Sequence, residues 1–236
     1  MQTKQSILSP RRKFIGSIVA GAAAIGLFSF KSPFSQSKEI ISLTETDPTN
    51  PMDADVWFNK LKGKHRIVYD SPHPNEIFPF AWPRVFLLTN AATGSSVNDC
   101  GVVVVLRHTS IGFAINDSMW AKYNLGQVFK TDDHLTKKPA VRNPFWQPKA
   151  DEYKLPGFGA ISIGIPELQQ SGVMFCVCDS ALTVFSAALA EGMKMDAKEL
   201  KKEWLNNLLP GIQVVPSGVW ALGRAQEHKC GYCFAG

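Results

Sequence analysis

Val102-Val103-Val104-Val105-Leu106 is apolar at every position, with no alternation of polar and apolar residues. A strand of that kind belongs in the middle of a sheet covered on both faces, and such sheets are built from parallel strands. Val173-Met174-Phe175-Cys176-Val177-Cys178 is a second one. Working outward, Arg66–Tyr69 reads as an earlier strand, Gln213–Val215 as a later one and about Gly231–Phe234 as a short last one. The segments between them read as helices: Phe80–Ala92, Ser180–Met193 behind Asp179 as a natural N-cap, amphipathic Lys198–Leu209 stopped by Pro210-Gly211, and Val219–His228. Strands alternating with helices predict βαβ units and a three-layer αβα fold, mostly parallel and flavodoxin-like.

The start of the chain is of another kind. Arg11-Arg12-Lys13-Phe14-Ile15 is followed by a Gly/Ala-rich apolar run from Gly16 to Phe30. Paired arginines, an apolar residue two places on and a weakly apolar stretch form the pattern of a twin-arginine export signal over residues 1–30. That predicts an exported, periplasmic protein, or a membrane-anchored one if the signal is not cleaved. Residues 31–60, polar and rich in Pro, Ser and Thr, read as a linker with a short helix near Met52–Lys60, leaving 61–236 as one domain. The composition, 45% hydrophobic and 19% charged, is that of a globular chain. Of the five surplus positive charges, Lys4, Arg11, Arg12 and Lys13 lie in the first 30 residues, which hold no acid, so the remainder carries +1. A nucleic-acid partner, which needs clustered Lys and Arg, is not expected.

Ser110–Ala160 breaks the alternation with a long irregular stretch rich in Asn, Pro, Trp and Lys, helical around Asp117–Tyr123. A loop of that length in a compact domain is usually a cover or a partner contact. Its aromatic residues Trp120, Tyr123, Phe145 and Trp146 read as a packed flap, or alternatively as surface anchors of a binding module. Asp132-Asp133-His134 reads as a solvated turn, since adjacent residues rarely converge on one ion. Gly-x-Gly-x-x-Gly, Walker, His-Glu-x-x-His and Gly-x-Ser-x-Gly patterns are all absent.

In an open parallel sheet, ligands bind beyond the carboxyl ends of the strands. Arg107-His108-Thr109 and Cys178-Asp179-Ser180 fall there. A cysteine just before a helix start meets unpaired N–H groups and the positive end of the helix dipole, which favour the reactive thiolate, and Arg107 or His108 alongside would add to this. Cys178, Arg107 and His108 are therefore the candidate catalytic residues, with Cys176, one strand period back, expected on the same face. Cys230-Gly231-Tyr232-Cys233 is a CxxC that could be a disulfide, a redox pair, a packed pair, or half of a four-thiolate metal site with Cys176 and Cys178. Cys100 reads as incidental.

The strand–Cys–helix segment Val173–Thr183 resembles the corresponding segment of the DsrE-like (DsrE/DsrF-like) sulfur-relay family. Leu209-Pro210-Gly211 through Pro216-Ser217-Gly218-Val219, Gln226 and Gly231-Tyr232 is similar to that family's closing strand–turn–helix–strand pattern. The resemblance runs from about Arg66 to Gly236, with an insertion at about 110–160. It implies a three-layer α/β fold, homo-oligomers, and a cysteine, here Cys178, that carries covalent persulfide sulfur. Three readings follow. In the first, Cys178 accepts sulfane sulfur from a protein or small-thiol donor and passes it on, covered by the 110–160 segment. In the second, the chain is a non-catalytic oligomeric binding module. In the third, Cys176, Cys178, Cys230 and Cys233 hold zinc or iron or form a redox centre.

Overall fold

The computed structural model describes Asn50 and residues 53–236. The twin-arginine signal expected at 1–30 and most of the 31–60 linker lie outside these residues. The described strands are β1 (His65–Ser71), β2 (Cys100–Leu106), β3 (Lys154–Leu155), β4 (Gly159–Ala160), β5 (Val173–Cys178), β6 (Ile212–Val215) and β7 (Gly231–Phe234). The α-helices are α1 (Ala54–Phe58), α2 (Phe78–Ala92), α3 (Asp117–Tyr123), α4 (Leu125–Val128), α5 (Ile165–Gln170), α6 (Asp179–Met193), α7 (Ala197–Asn206) and α8 (Gly218–Glu227). Single 3-10 stretches precede and follow β2, at Val97–Asp99 and His108–Ala114.

Five strands form one sheet in the order β6-β5-β2-β1-β7, and every pairing in it is parallel. β2 is the central strand, and its sequence explains why. Val102, Val104 and Leu106 enter the larger apolar cluster on one face, and Val103 and Val105 enter the smaller cluster on the other. All five are fully buried, each contributing ~1.5–3 kcal/mol of transfer free energy. Tyr69 against Val68 and Phe175 against Cys176 repeat the division. α1 and α8 cover the smaller face through Trp57, Phe58, Ala221 and Ala225. The other face is covered by α2, α6, α7 and the 110–160 segment through Phe80, Leu182, Trp204 and Trp120. The chain is thus a three-layer α/β fold on a parallel sheet.

The 110–160 segment is a packed flap and not a set of surface anchors. Trp120, Tyr123 and Phe145 are buried in the larger cluster, and Trp146 packs against it. Trp120 Nε1 donates to the Gly112 carbonyl at 3.0 Å, and Phe145 stacks on Phe80 with ring centroids 4.0 Å apart. α3 starts where Asn116 caps it by accepting from Met119 N–H, and stops at Asn124 in the left-handed region. No described helix is long and apolar enough to cross a membrane.

Candidate functional site

Arg107, His108 and Cys178 line one cavity of about 270 Å³. It lies beyond the carboxyl ends of β2, β5 and β6, where an open parallel sheet binds ligands. Ser180, Ala181 and Phe185 from the start of α6 form one wall. Ser217, Gly218 and Val219 from the start of α8 form the other. The three catalytic candidates named from sequence are therefore brought together.

Cys178, and not Asp179, caps α6. Its backbone is extended (φ −75°, ψ 111°), and its Sγ accepts from Ala181 N–H at 3.3 Å. Sulfur takes the place that a serine or aspartate oxygen usually takes at a helix start. The donor satisfies an otherwise unpaired helix N–H and sets a positive dipole end against the sulfur. Asp179 instead opens the helix and pairs with Lys201 of α7 at 2.7 Å. Ser180 ties the two walls together, its N–H and Oγ both donating to the Pro216 carbonyl, at 3.3 and 2.8 Å.

Arg107 is held from below. Its Nε and one terminal nitrogen donate to Asp70 at 2.6 and 3.0 Å, and Tyr232 Oη donates to the same carboxylate at 2.8 Å. Asp70 is 1% exposed at the end of β1, between β2 and β7. The hydrogen bonds to Asp70 push the Arg107 pKa further up, so its charge is fixed. Burial, reinforced by the bond to Asp70, also pushes the Tyr232 phenol up and keeps it a donor. Gly218 is required here, because a Cβ on it would overlap the Arg107 side chain. His108 has a positive φ of 50°, and its ring meets His73 and Phe185 edge-on at 5.2 and 5.5 Å.

Several expectations are corrected. Cys176 is fully buried in the smaller cluster and does not line the cavity, which Cys178 reaches from the end of the strand. Cys176, Cys178, Cys230 and Cys233 do not form a metal site. β5 and β7 are three strand positions apart, which is about 14 Å at the usual strand spacing. No group of three or more His, Cys, Asp and Glu suited to a metal occurs among the described residues. The CxxC is not a disulfide either, since both thiols are free, Cys230 packed in the smaller cluster and Cys233 against the larger one. Burial pushes the thiols of Cys176 and Cys233 up, and that of Cys230 up to about 11. The 110–160 segment contributes no residue to the Cys178 cavity. In Asp132-Asp133-His134, Asp132 is exposed and Asp133 and His134 are half-buried, with both ring nitrogens of His134 buried and its ring 4.4 Å from that of Tyr153.

Asp70 and Tyr232 are the site residues that sequence reasoning missed. The signal for Asp70 is a lone acid at the carboxyl end of an apolar strand, Ile67-Val68-Tyr69-Asp70.

Fold and site define a three-layer α/β protein with a helix-capping cysteine at the carboxyl edge of a parallel sheet. No protein-family model matches the chain. No curated protein matches it. Among solved structures, it is similar to a protein of unknown function, MTH1491 from Methanobacterium thermoautotrophicum. The identity is 18% and the TM-score 0.38, over 72% of this chain and 98% of that one.

Proposed function

We propose that this chain is an exported, DsrE-like sulfur-handling protein in which Cys178 carries a persulfide. The observation that supports this reading is the convergence of Cys178, Arg107 and His108 on one cavity, with the Ala181 N–H on the sulfur. The Cys178 thiolate attacks the outer sulfur of a persulfide donor. A sulfur–sulfur bond forms on Cys178, the donor's sulfur–sulfur bond breaks, and its electron pair leaves with the donor thiolate. An acceptor thiolate then attacks the outer sulfur on Cys178, which departs as the thiolate it was at the start. Donor and acceptor are proteins or small thiols, and no metal enters either step. Arg107 offers a fixed positive charge beside this traffic of anions. Periplasmic location and homo-oligomeric assembly belong to the same reading.

The test is intact mass spectrometry of the folded protein after exposure to inorganic polysulfide, with and without thiol alkylation. The wild type gains the mass of one sulfur, which a small thiol removes, and Cys178→Ser does not. An equal gain in Cys178→Ser, or no gain in the wild type, refutes the proposal.

A further inference from the structure

The 110–160 segment builds a cavity of its own, of about 500 Å³, against the loop that follows β1. That volume is in the range of small-molecule sites. Its floor is aromatic: Phe145 and Tyr153 stack at 5.3 Å and 15°, and His134 continues the column over Tyr153. Thr131, 6% exposed, lines the same cavity with its hydroxyl unpartnered. Leaving a buried hydroxyl unsatisfied costs ~1–3 kcal/mol, so the wall behind the cavity is held at some cost.

The rim is charged and of mixed sign. Glu76, Lys130, Asp132 and Lys137 all line the cavity and are exposed. None of the four side chains has a hydrogen bond or ion pair among the described residues, although Lys122, Arg142 and Lys201 nearby in sequence or fold are paired. The Asp133 carboxylate, also on the wall, is occupied by the N–H groups of Leu135 and Thr136 at 3.1 and 2.8 Å. The loop carrying three of the rim charges is braced across its base. Ala140 N–H donates to the Thr131 carbonyl at 2.9 Å and Asp133 N–H to that of Lys138 at 2.8 Å. The charges are thus presented on a held frame, which lowers the ordering cost of binding.

We infer that this cavity binds a small zwitterion with an aromatic or apolar body. The body lies against Pro74, Ile77 and the edges of Phe145 and Tyr153, whose ring faces are already stacked on Phe80, on each other and on His134. The ammonium and the carboxylate (or another anion) meet the two acidic and the two basic rim groups. A ligand of single charge leaves one of these pairs facing a like charge or nothing. The inference is independent of Cys178, since the two cavities share no residue.

The test is titration of the full chain by ligand-observed NMR, with L-tryptophan as the zwitterionic probe. Indole-3-propionate lacks its ammonium and tryptamine its carboxylate. Tryptophan is expected to bind saturably, and each analogue roughly two- to fivefold more weakly, as one exposed ion pair is worth. Lys130→Ala with Lys137→Ala, on exposed positions that leave the fold intact, reduces tryptophan binding and spares tryptamine. Ile77→Trp, which fills the cavity wall, abolishes binding with the far-UV circular dichroism unchanged. If tryptophan does not bind saturably, the inference fails. It fails equally if either analogue binds as tightly, or if the double lysine variant binds tryptophan like the wild type.

Discussion

Replacing Arg107 with Leu leaves the Asp70 carboxylate, 1% exposed, with Tyr232 as its remaining side-chain partner. Leucine retains the part of the side chain that packs on Gly218, so the change isolates the charge. Removing one member of a fully buried ion pair costs ~3–5 kcal/mol, because the other charge stays behind. The Arg107 side chain is 27% exposed, so water can reach the space its head group leaves, and about 2–3 kcal/mol is the better figure. For a domain of this size that lowers Tm by roughly 5–10 °C. The assay is reversible urea or thermal unfolding of wild type, Arg107→Leu, Asp70→Asn and the double variant. Asp70→Asn removes the stranded charge, so the double variant should be more stable than Arg107→Leu alone. A coupling of about 1.5 kcal/mol or more is expected, against ~0.3–0.5 kcal/mol for independent sites. A drop under 2 °C for Arg107→Leu (well short of the ~5 °C lower bound), or additive single changes, would refute the view that Asp70 is a buried charge neutralised by Arg107.

Two further perturbations follow from the same geometry. Stability should fall as pH rises from about 9 to about 11, because burial raises the Cys230 thiol from 9.0 to about 11 and raises Cys176 as well. Between those values the unfolded chain has lost the protons that the folded chain keeps, so proton loss favours unfolding; urea titrations at pH 8, 9.5 and 11 measure the slope, and Cys230→Ala should flatten it. Gly218→Ala should cost ~1–3 kcal/mol by overpacking against Arg107, and should also change the rate at which iodoacetamide modifies Cys178; a stability and rate equal to wild type would show that this close approach is not needed.

The sheet was legible because β2 and β5 carry burial on both faces in their own residues, independently of their neighbours. Helix α3 was legible for the same local reason, with Asn116 and Asn124 marking its ends. The convergence of Cys178, Arg107 and His108 was legible because residues just past strand ends come together in an open parallel sheet. What failed depended on strand order. The four-thiolate site required β5 and β7 to be neighbours, but β2 and β1 lie between them. Asp70 was invisible for the converse reason: its partners Arg107 and Tyr232 reach it only because β1 sits between β2 and β7. The 110–160 segment did not cover Cys178, since its rings are consumed in packing against α2 and the sheet face. The cap at α6 was misplaced by one residue, since Asp is the commoner capping residue and cysteine seldom serves.

Tyr232 and Asp70 are separated by 162 residues in the chain. Bringing such distant segments together costs about 4.5 kcal/mol of loop-closure entropy in a flexible chain, before any constant term. That cost falls once β1, β2 and β5 have paired over shorter spans, so the β1–β7 pairing is expected to follow theirs in folding. Until it forms, β1 presents an open edge on which another chain can add a strand, and the guanidinium beside Cys178 is not yet fully anchored. The bracing of Arg107 through Asp70 and Tyr232 is therefore expected to be completed only after the strand that carries Cys178 has paired.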